Sequence, residues 1–204
     1  MRRLLVLAAV LAIGGAVIPR TPAAQNMTAQ IDISRMNPGL APDDFTFWRT
    51  GDGEVGDWRV VKDPSAGDRR VIAQTSKDPT DYRFPLAVCR PISAKNVDVV
   101  LRFKPAGGTV DQAGGIVVRL TTPDNYYVVR ANALEDNVRF YRMVNGKREQ
   151  LDGANIKVTA NEWHTLGLRA EDDRFTIAFD GKQRSVTAPS SKPERWRSGP
   201  KPTV

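Results

Sequence analysis

The dipeptide Asn145-Gly146 limits the fold of this 204-residue chain more than any other feature of its sequence. Both residues accept the positive φ angles of a type I′ turn, so a two-residue β-hairpin is predicted here. Counting outward from the turn places Arg142 opposite Glu149, an opposite-charge pair that favours this register. The register also predicts the pairs Val144–Lys147, Tyr141–Gln150, Phe140–Leu151 and Arg139–Asp152.

The hairpin belongs to a longer meander, because residues 114–152 read as four consecutive antiparallel strands joined by short turns. The first turn predicts that Leu120 faces Asn125, and the second predicts that Arg130 faces Arg139. Successive side chains of a strand point to opposite faces, so one face of the meander is apolar and is predicted to be core. That face collects Ile116, Val118, Leu120, Tyr127, Val129, Ala131, Val138 and Phe140.

The opposite face of the meander is both aromatic and cationic. It collects Val117, Arg119, Tyr126, Val128, Arg130, Arg139, Tyr141 and Met143. Tyrosine stacks on sugar rings, and arginine donates forked hydrogen bonds to hydroxyls or carboxylates. We therefore predict a ligand-binding surface formed by Arg119, Tyr126, Arg130, Arg139 and Tyr141. The alternative is a plain solvated face, since Arg and Tyr suit the exposed side of any sheet.

Short strands punctuated by turns continue on both sides of the meander. They are predicted at residues 45–47, 58–61, 71–74, 86–89, 96–103, 163–170 and 175–179. The turn at Asp172-Asp173 pairs Leu166 with Phe179 and Leu168 with Ile177, which again gives one apolar face. No long amphipathic helix is evident, although residues 154–160 suit one short helical turn. The pattern predicts an all-β, two-sheet antiparallel sandwich spanning residues 45–183.

The N-terminus is typical of an exported protein. Residues 1–24 combine a basic start, a short apolar run and small residues before a cleavage point near Ala24, as a signal peptide does. The alternative is an uncleaved membrane anchor. Cys89 is the only cysteine, so no internal disulfide is expected, and the combination favours a bacterial periplasmic or secreted protein. Residues 25–44 are predicted to form an N-terminal arm.

The C-terminal residues 184–204 are proline-rich, basic and without alternation, and they are predicted to form an irregular tail. With one choice of synonymous codons for residues 193–203, a frame shifted by two bases encodes an apolar strand. The hypothesis is that residues from about Arg184 onward are a frameshifted end, and it predicts that the sandwich lacks its last strand or strands. The net charge of +7 lies at the two ends, +3 in residues 1–24 and +4 in residues 184–204, leaving none for residues 25–183. A neutral body argues against a nucleic-acid partner.

Three segments carry a resemblance to a known fold family: AGGIVVRL, DNYYVVRANALEDNVRFYRMVNGKR and NEWHTLGLRAEDDRFTIAFDGK. Together they resemble the concanavalin A-like jelly roll of legume lectins, laminin G domains and family 16 glycoside hydrolases. They are most similar to bacterial exported proteins with a laminin G-like or 3-keto-disaccharide hydrolase-like domain. The resemblance implies two sheets, one of them concave and presenting aromatic and polar side chains to carbohydrate.

The sequence offers no catalytic residue that we can assign. Family 16 enzymes carry an acidic strand of the form E-x-D-x-x-E, whereas the acidic clusters here, 135–136 and 171–173, fall in predicted turns. His164 is the only histidine, and beside Trp163 on a strand it is more typical of a structural residue than of a general base. The sequence therefore leaves enzymatic activity open, and it favours a protein without catalysis.

No resident cofactor or metal site is predicted, although loop acids could supply oxygen ligands to calcium, as in laminin G-like domains. Those acids are Asp111, Asp124, Asp136 and Asp180. The leading hypothesis is an exported carbohydrate-binding domain with no stable membrane span after signal removal. The alternatives are a hydrolase or lyase acting on 3-keto sugars, which the resemblance implies, and a laminin G-like protein-interaction domain. The sequence leaves the ligand and the oligomeric state open.

Overall fold

The computed structural model describes residues 28–90 and 92–188. Regular structure begins in the compact unit that starts at Ile31, with a short 3-10 helix at Ile33–Arg35. The strands of the first half are β1 (Phe45–Gly51), β2 (Trp58–Lys62), β3 (Arg70–Gln74), β4 (Arg83–Cys89), β5 (Val97–Phe103) and β6 (Ala113–Thr122). Those of the second half are β7 (Asn125–Asn132), β8 (Asn137–Val144), β9 (Lys147–Asn155), β10 (His164–Glu171), β11 (Arg174–Phe179) and β12 (Lys182–Thr187).

Two four-stranded antiparallel sheets form the body. The meander sheet has the order β6-β7-β8-β9, and the closing sheet has the order β12-β11-β10-β5. Two further two-stranded ribbons are β1-β4 and β2-β3. This arrangement confirms the predicted all-β, two-sheet jelly-roll sandwich. No helix in the described part of the chain is long and apolar enough to cross a membrane.

The core lies between the inner faces of the two sheets. Phe140 of the meander sheet and Phe175 of the closing sheet are fully buried, with ring centroids 4.9 Å apart. Tyr127 packs on the same Phe175 ring at 4.8 Å. The rest of this cluster includes Ile116, Val118, Val129, Ala131, Val138, Leu166, Leu168, Ile177 and Phe179. The predicted core face of the meander is confirmed, with Leu120 as the exception.

The Asn145-Gly146 hairpin has the predicted register for its first four pairs, from Val144–Lys147 to Tyr141–Gln150. A β-bulge between Phe140 and Tyr141 then adds one residue to β9, so that Phe140 faces Asp152 and Arg139 faces Gly153. The predicted pairs Phe140–Leu151 and Arg139–Asp152 are therefore wrong. The bulge turns the Asp152 carboxylate towards β12, where it forms an ion pair with Arg184.

A second bulge lies in β6 and reverses the faces of two residues. The turn closes at Thr122 opposite Asn125, not at Leu120, and Arg119 has a φ of 54°. Because the alternation shifts by one residue there, Leu120 packs against the outer-face cluster instead of the core. The guanidinium of Arg119 lies 4.8 Å from the ring centroid of Phe175 on the core side.

The ribbon β1-β4 covers part of the outer face of the meander sheet, the face turned away from the closing sheet. Leu86 of the ribbon packs with Tyr126 and Met143 of the sheet. The hydroxyls of Thr50 and Tyr126 lie 2.9 Å apart within this contact. Half of the face that the sequence predicted to bind ligand is therefore buried under another part of the same chain.

The two ends of the described chain differ from the sequence expectation in part. Residues 184–187 belong to β12, which pairs along β11 and packs Val186 on the core, so the predicted irregular tail begins too early. The strand forms because the edge backbone groups of β11 need hydrogen-bond partners. Residues 154–160 contain the end of β9 and a loop, with no helical turn. The proposed signal peptide and residues 189–204 lie outside the described residues.

His164 sits at the edge of the core with both ring nitrogens engaged. Its Nδ1 lies 2.7 Å from Asp180 Oδ2, and its Nε2 lies 3.0 Å from the carbonyl oxygen of Thr159. Burial by itself would lower the pKa of His164, but the hydrogen bonds with Asp180 and Thr159 outweigh it and raise that pKa. Burial would raise the pKa of Asp180, and the bond to His164 reverses this so that the pKa is lowered. Both shifts indicate a stabilising ion pair.

Truncating the aromatic contact between the sheets should cost much of the stability of the fold. Phe140→Ala is expected to lower the free energy of unfolding by about 3–5 kcal/mol, because it leaves a cavity among fully buried rings. Val100→Ala is the control, since Val100 is 70% exposed and its loss should change stability by less than about 0.5 kcal/mol. Urea titration of both variants measures the difference, and equal effects would contradict the assigned core.

The His164–Asp180 pair should give the protein a pH-dependent stability. The raised pKa of His164 contributes stability fully below its ordinary value of 6.5, and this is lost as pH rises through the folded-state pKa. The lowered pKa of Asp180 contributes stability above its ordinary value of 3.8, lost as pH falls through the folded-state pKa. Wild type should therefore exceed His164→Gln in stability most between these two values. Denaturant titrations across that range test this, and a pH-independent difference would contradict it.

Candidate functional site

The outer face of the meander sheet divides into a covered half and an open half. The apolar residues Tyr126, Val128 and Met143 lie under the ribbon β1-β4. The polar residues Arg130 and Arg139 lie beyond the ribbon on the neighbouring strands β7 and β8, where they face each other. A cavity lies at the boundary between the two halves.

This cavity, which we call the Arg130 cavity, has a volume of about 120 Å³. It lies at the start of β4, between the ribbon, the loop before β6 and the turn joining β7 to β8. Its principal lining residues are Tyr82, Phe84, Asp111, Arg130, Glu135 and Arg148. A small concave site lined by guanidinium, carboxylate and aromatic groups suits a polar ligand with many hydrogen-bonding groups.

Arg130 is the centre of the cavity wall, and its side chain is only 12% exposed. Its Nη1 donates to Asp111 Oδ1 at 3.2 Å, and its Nη2 donates to Glu135 Oε2 and to Asn137 Oδ1. The guanidinium carbon lies 5.8 Å from the ring centroid of Tyr141, a buried residue of the neighbouring strand. Two carboxylates and an aromatic ring thus fix the orientation of this cation before any ligand arrives.

Buried amide side chains bring the two acidic loops together. The side-chain oxygen of Asn132, a fully buried residue, accepts from the backbone N–H of Leu134 at 3.0 Å, and its Nδ2 donates to Asp111. The Nδ2 of Asn137 donates to Glu135 Oε2 at 2.8 Å. Because both asparagines lie at the ends of paired strands, the sheet itself sets the positions of the two carboxylates.

Arg148 of β9 lies over two aromatic rings. Its guanidinium carbon is 4.7 Å from the ring centroid of Tyr141 and 5.4 Å from that of Phe84. Its backbone N–H donates to the hydroxyl of Tyr82, which in turn donates to the carbonyl oxygen of Gly146 at 2.9 Å. Stacking and backbone anchoring hold Arg148 at the cavity without an ion pair to any described residue.

The two carboxyl groups of the cavity have opposite pKa shifts. Burial raises the pKa of Asp111, with Glu135 adding to the effect and Arg130 and Arg148 opposing it. Burial would also raise the pKa of Glu135, but the hydrogen bond from Asn137 and the charge of Arg130 lower it overall. Glu135 is thus stabilised as a carboxylate, whereas burial disfavours the charged form of Asp111.

The structure separates the five residues that the sequence predicted as a binding surface. Arg130 lines the cavity, and the buried ring of Tyr141 lies on the same face against the guanidinium groups of Arg130 and Arg148. Arg139 lies on the same face but not in the cavity, where its Nη2 donates to Asn155 Oδ1 at 2.6 Å. Tyr126 is only 4% exposed beneath the ribbon. Arg119 is wrongly placed by the prediction, because the bulge in β6 turns it to the core side.

Several residues that line the cavity were not among those predicted from the sequence to bind a ligand. Arg148 pairs with Met143, so the predicted hairpin register already put it on the binding face. Asp111 and Glu135 lie in a loop and a turn, where strand alternation gives no signal. Tyr82 has a φ of 50° before β4, and nothing in the sequence predicts that the ribbon crosses the meander sheet there.

The acids considered as calcium ligands are dispersed. Asp111 contacts Arg130, Asp136 binds Lys157 at 3.0 Å, and Asp180 binds His164. In the described ranges, no group of three or more His, Cys, Asp or Glu side chains is placed to hold a metal ion.

Comparisons with known proteins indicate a fold. Neither the protein-family models nor the curated protein sequences include a match to this chain. A similar solved structure is the carbohydrate-binding module CBM66 from Bacillus subtilis, with a TM-score of 0.52 and 17% sequence identity. The similarity covers 71% of this chain and 81% of that module. At this identity the likeness establishes a common fold.

The opposite pKa shifts predict opposite effects of two isosteric substitutions. The raised pKa of Asp111 means that its stabilising contribution exists below the ordinary value of 3.8 and is lost as pH rises. Asp111→Asn should therefore be at least as stable as wild type at pH about 7. The lowered pKa of Glu135 gives a contribution present above 4.5, so Glu135→Gln should be less stable there.

Thermal and urea unfolding of both variants at neutral and acidic pH measure these differences. As pH falls through the folded-state pKa of Glu135, the deficit of Glu135→Gln should shrink. A marked loss of stability in Asp111→Asn at neutral pH would show that the Asp111 carboxylate supports the fold instead of straining it.

Proposed function

We propose that this protein is a carbohydrate-binding domain and that the Arg130 cavity holds the sugar. The observation that carries the proposal is the guanidinium of Arg130 in the cavity wall, held by two carboxylates and packed on the ring of Tyr141. The similar solved structure is itself named a carbohydrate-binding module, which supports the same class of function.

The chemistry of the cavity suits a sugar because hydroxyl groups both donate and accept hydrogen bonds. Arg148 offers guanidinium donors, while Asp111 and Glu135 offer carboxylate acceptors. The rings of Tyr82 and Phe84 lie edge to face at the cavity wall, with centroids 4.9 Å apart. They add apolar surface for the C–H face of a sugar ring.

The finer parts of the proposal come from the sequence. Export to the periplasm or the cell exterior rests on the signal-peptide pattern of residues 1–24. Membership of the laminin G-like group, close to 3-keto-disaccharide hydrolase-like proteins, rests on the segments quoted for that resemblance. Binding without catalysis is favoured because the sequence lacks the acidic strand of family 16 enzymes and both cavity carboxylates are already paired with Arg130.

Isothermal titration calorimetry of the mature protein against neutral and acidic mono- and oligosaccharides tests the proposal. We expect at least one sugar to bind, and Arg148→Ala to weaken it by roughly tenfold or more, equivalent to about 1.4 kcal/mol. Arg142→Ala is the matched control, because this arginine of the same hairpin pairs with Glu149 outside the Arg130 cavity. Circular dichroism checks that both variants keep the β fold.

Four outcomes would count against a sugar site in the Arg130 cavity. No binding to any sugar would remove the function, and unchanged binding by Arg148→Ala would move the site elsewhere. Turnover of 3-keto-glucosides by the wild-type protein would favour the hydrolase alternative. Capture of one specific protein partner, without a sugar ligand, would favour the laminin G-like interaction domain.

A further inference from the structure

The charges around the Arg130 cavity do not balance. Arg83 is neutralised by Asp78 at 3.1 Å, and both side chains are largely buried. This leaves Asp81, Asp111 and Glu135 as the acidic lining residues, and Arg130 and Arg148 as the basic ones. The cavity therefore carries one more negative group than positive groups, although the body as a whole is neutral.

The two central carboxylates each use one oxygen on the protein and leave the other unused. Asp111 Oδ1 accepts from Arg130 and Asn132, and Glu135 Oε2 accepts from Arg130 and Asn137. Within the described chain, Asp111 Oδ2 and Glu135 Oε1 accept no hydrogen bond. A ligand that donates from neighbouring hydroxyls could satisfy both oxygens at once.

An anionic ligand would meet the opposite situation. The Arg130 guanidinium is already committed to two carboxylates, so it has little charge to offer a third. The raised pKa of Asp111, caused first by burial and increased by Glu135, indicates that the cavity already resists further negative charge. A carboxylate entering this site would add like-charge repulsion in a partly desolvated region.

We infer that the Arg130 cavity selects uncharged sugars with neighbouring hydroxyls and discriminates against acidic sugars such as uronates. The inference rests on the proposed carbohydrate-binding function and names its ligand class. Arg148 is the cavity cation whose charge could attract an acidic sugar and so oppose this discrimination. Its guanidinium is stacked on Tyr141 and Phe84, and its field already acts on Asp111 and Glu135 by lowering their pKa values.

The test uses matched pairs of sugars that differ only at C6, where one carries a hydroxymethyl group and the other a carboxylate. The pairs are methyl glucoside, galactoside and mannoside, each titrated beside the acid formed from it by oxidation at C6. The neutral oligosaccharides used to test the proposed function are treated in the same way. At pH about 7 and low salt, the neutral member of each binding pair should bind about tenfold more tightly or better. Raising ionic strength from about 0.05 M to about 0.5 M should narrow the gap by screening the repulsion.

Variants identify the source of the selectivity. Glu135→Gln and Asp111→Asn should each weaken binding of the neutral sugar by several-fold and reduce the neutral-to-acidic preference, because each removes a negative acceptor. Asp98→Asn, on an exposed position of β5 in the closing sheet, is the matched control and should leave both affinities unchanged. If one cavity variant fails to fold, the other variant and the salt dependence still test the preference for neutral sugars.

The outcomes separate the two proposals. Equal or tighter binding of the acidic sugars overturns the selectivity and leaves carbohydrate binding intact. Absence of binding by every neutral and acidic sugar removes the proposed function, and the selectivity with it.

Discussion

The contact between Phe140 and Phe175 joins the two sheets, and the candidate site depends on it through strand alternation. Because Phe140 points into the core, its neighbours Arg139 and Tyr141 must point to the outer face. The same rule makes Val129 of β7 a core residue and turns Arg130 outward. The apolar packing that stabilises the sandwich thereby fixes the Arg130 guanidinium of the cavity and the Tyr141 ring on which it packs.

The ribbon β1-β4 divides the outer face of the meander sheet into a covered apolar part and an open polar part. It covers the apolar part around Tyr126 and Met143, which would otherwise be a solvent-exposed hydrophobic patch. It stops short of Arg130, whose guanidinium is too polar to bury without partners, and the cavity forms at that boundary. Asp111, Glu135 and Asn137 supply those partners from the loops at the strand ends.

Fold stability and ligand binding make different demands on the cavity. Glu135 serves both, because its carboxylate stabilises the folded state and offers an acceptor. The partly buried position of Asp111 disfavours its charged form, an effect that Arg130, Arg148 and Asn132 offset incompletely. Such a strained carboxylate is typical of a functional site, where preorganised acceptors reduce the cost of ordering groups when the ligand binds.

The sequence by itself determined the sandwich, the hairpin at Asn145-Gly146 and the identity of Arg130 and Tyr141 as outward residues. These features depend on local turn geometry and a two-residue period, which neighbouring residues encode. Only the tertiary structure decided the rest, because a bulge reverses the faces of the residues next to it in its strand, as it did for Arg119. The ribbon over Tyr126 and the approach of Asp111 to Glu135 likewise arise from contacts between segments far apart in the chain, and no local pattern specifies them.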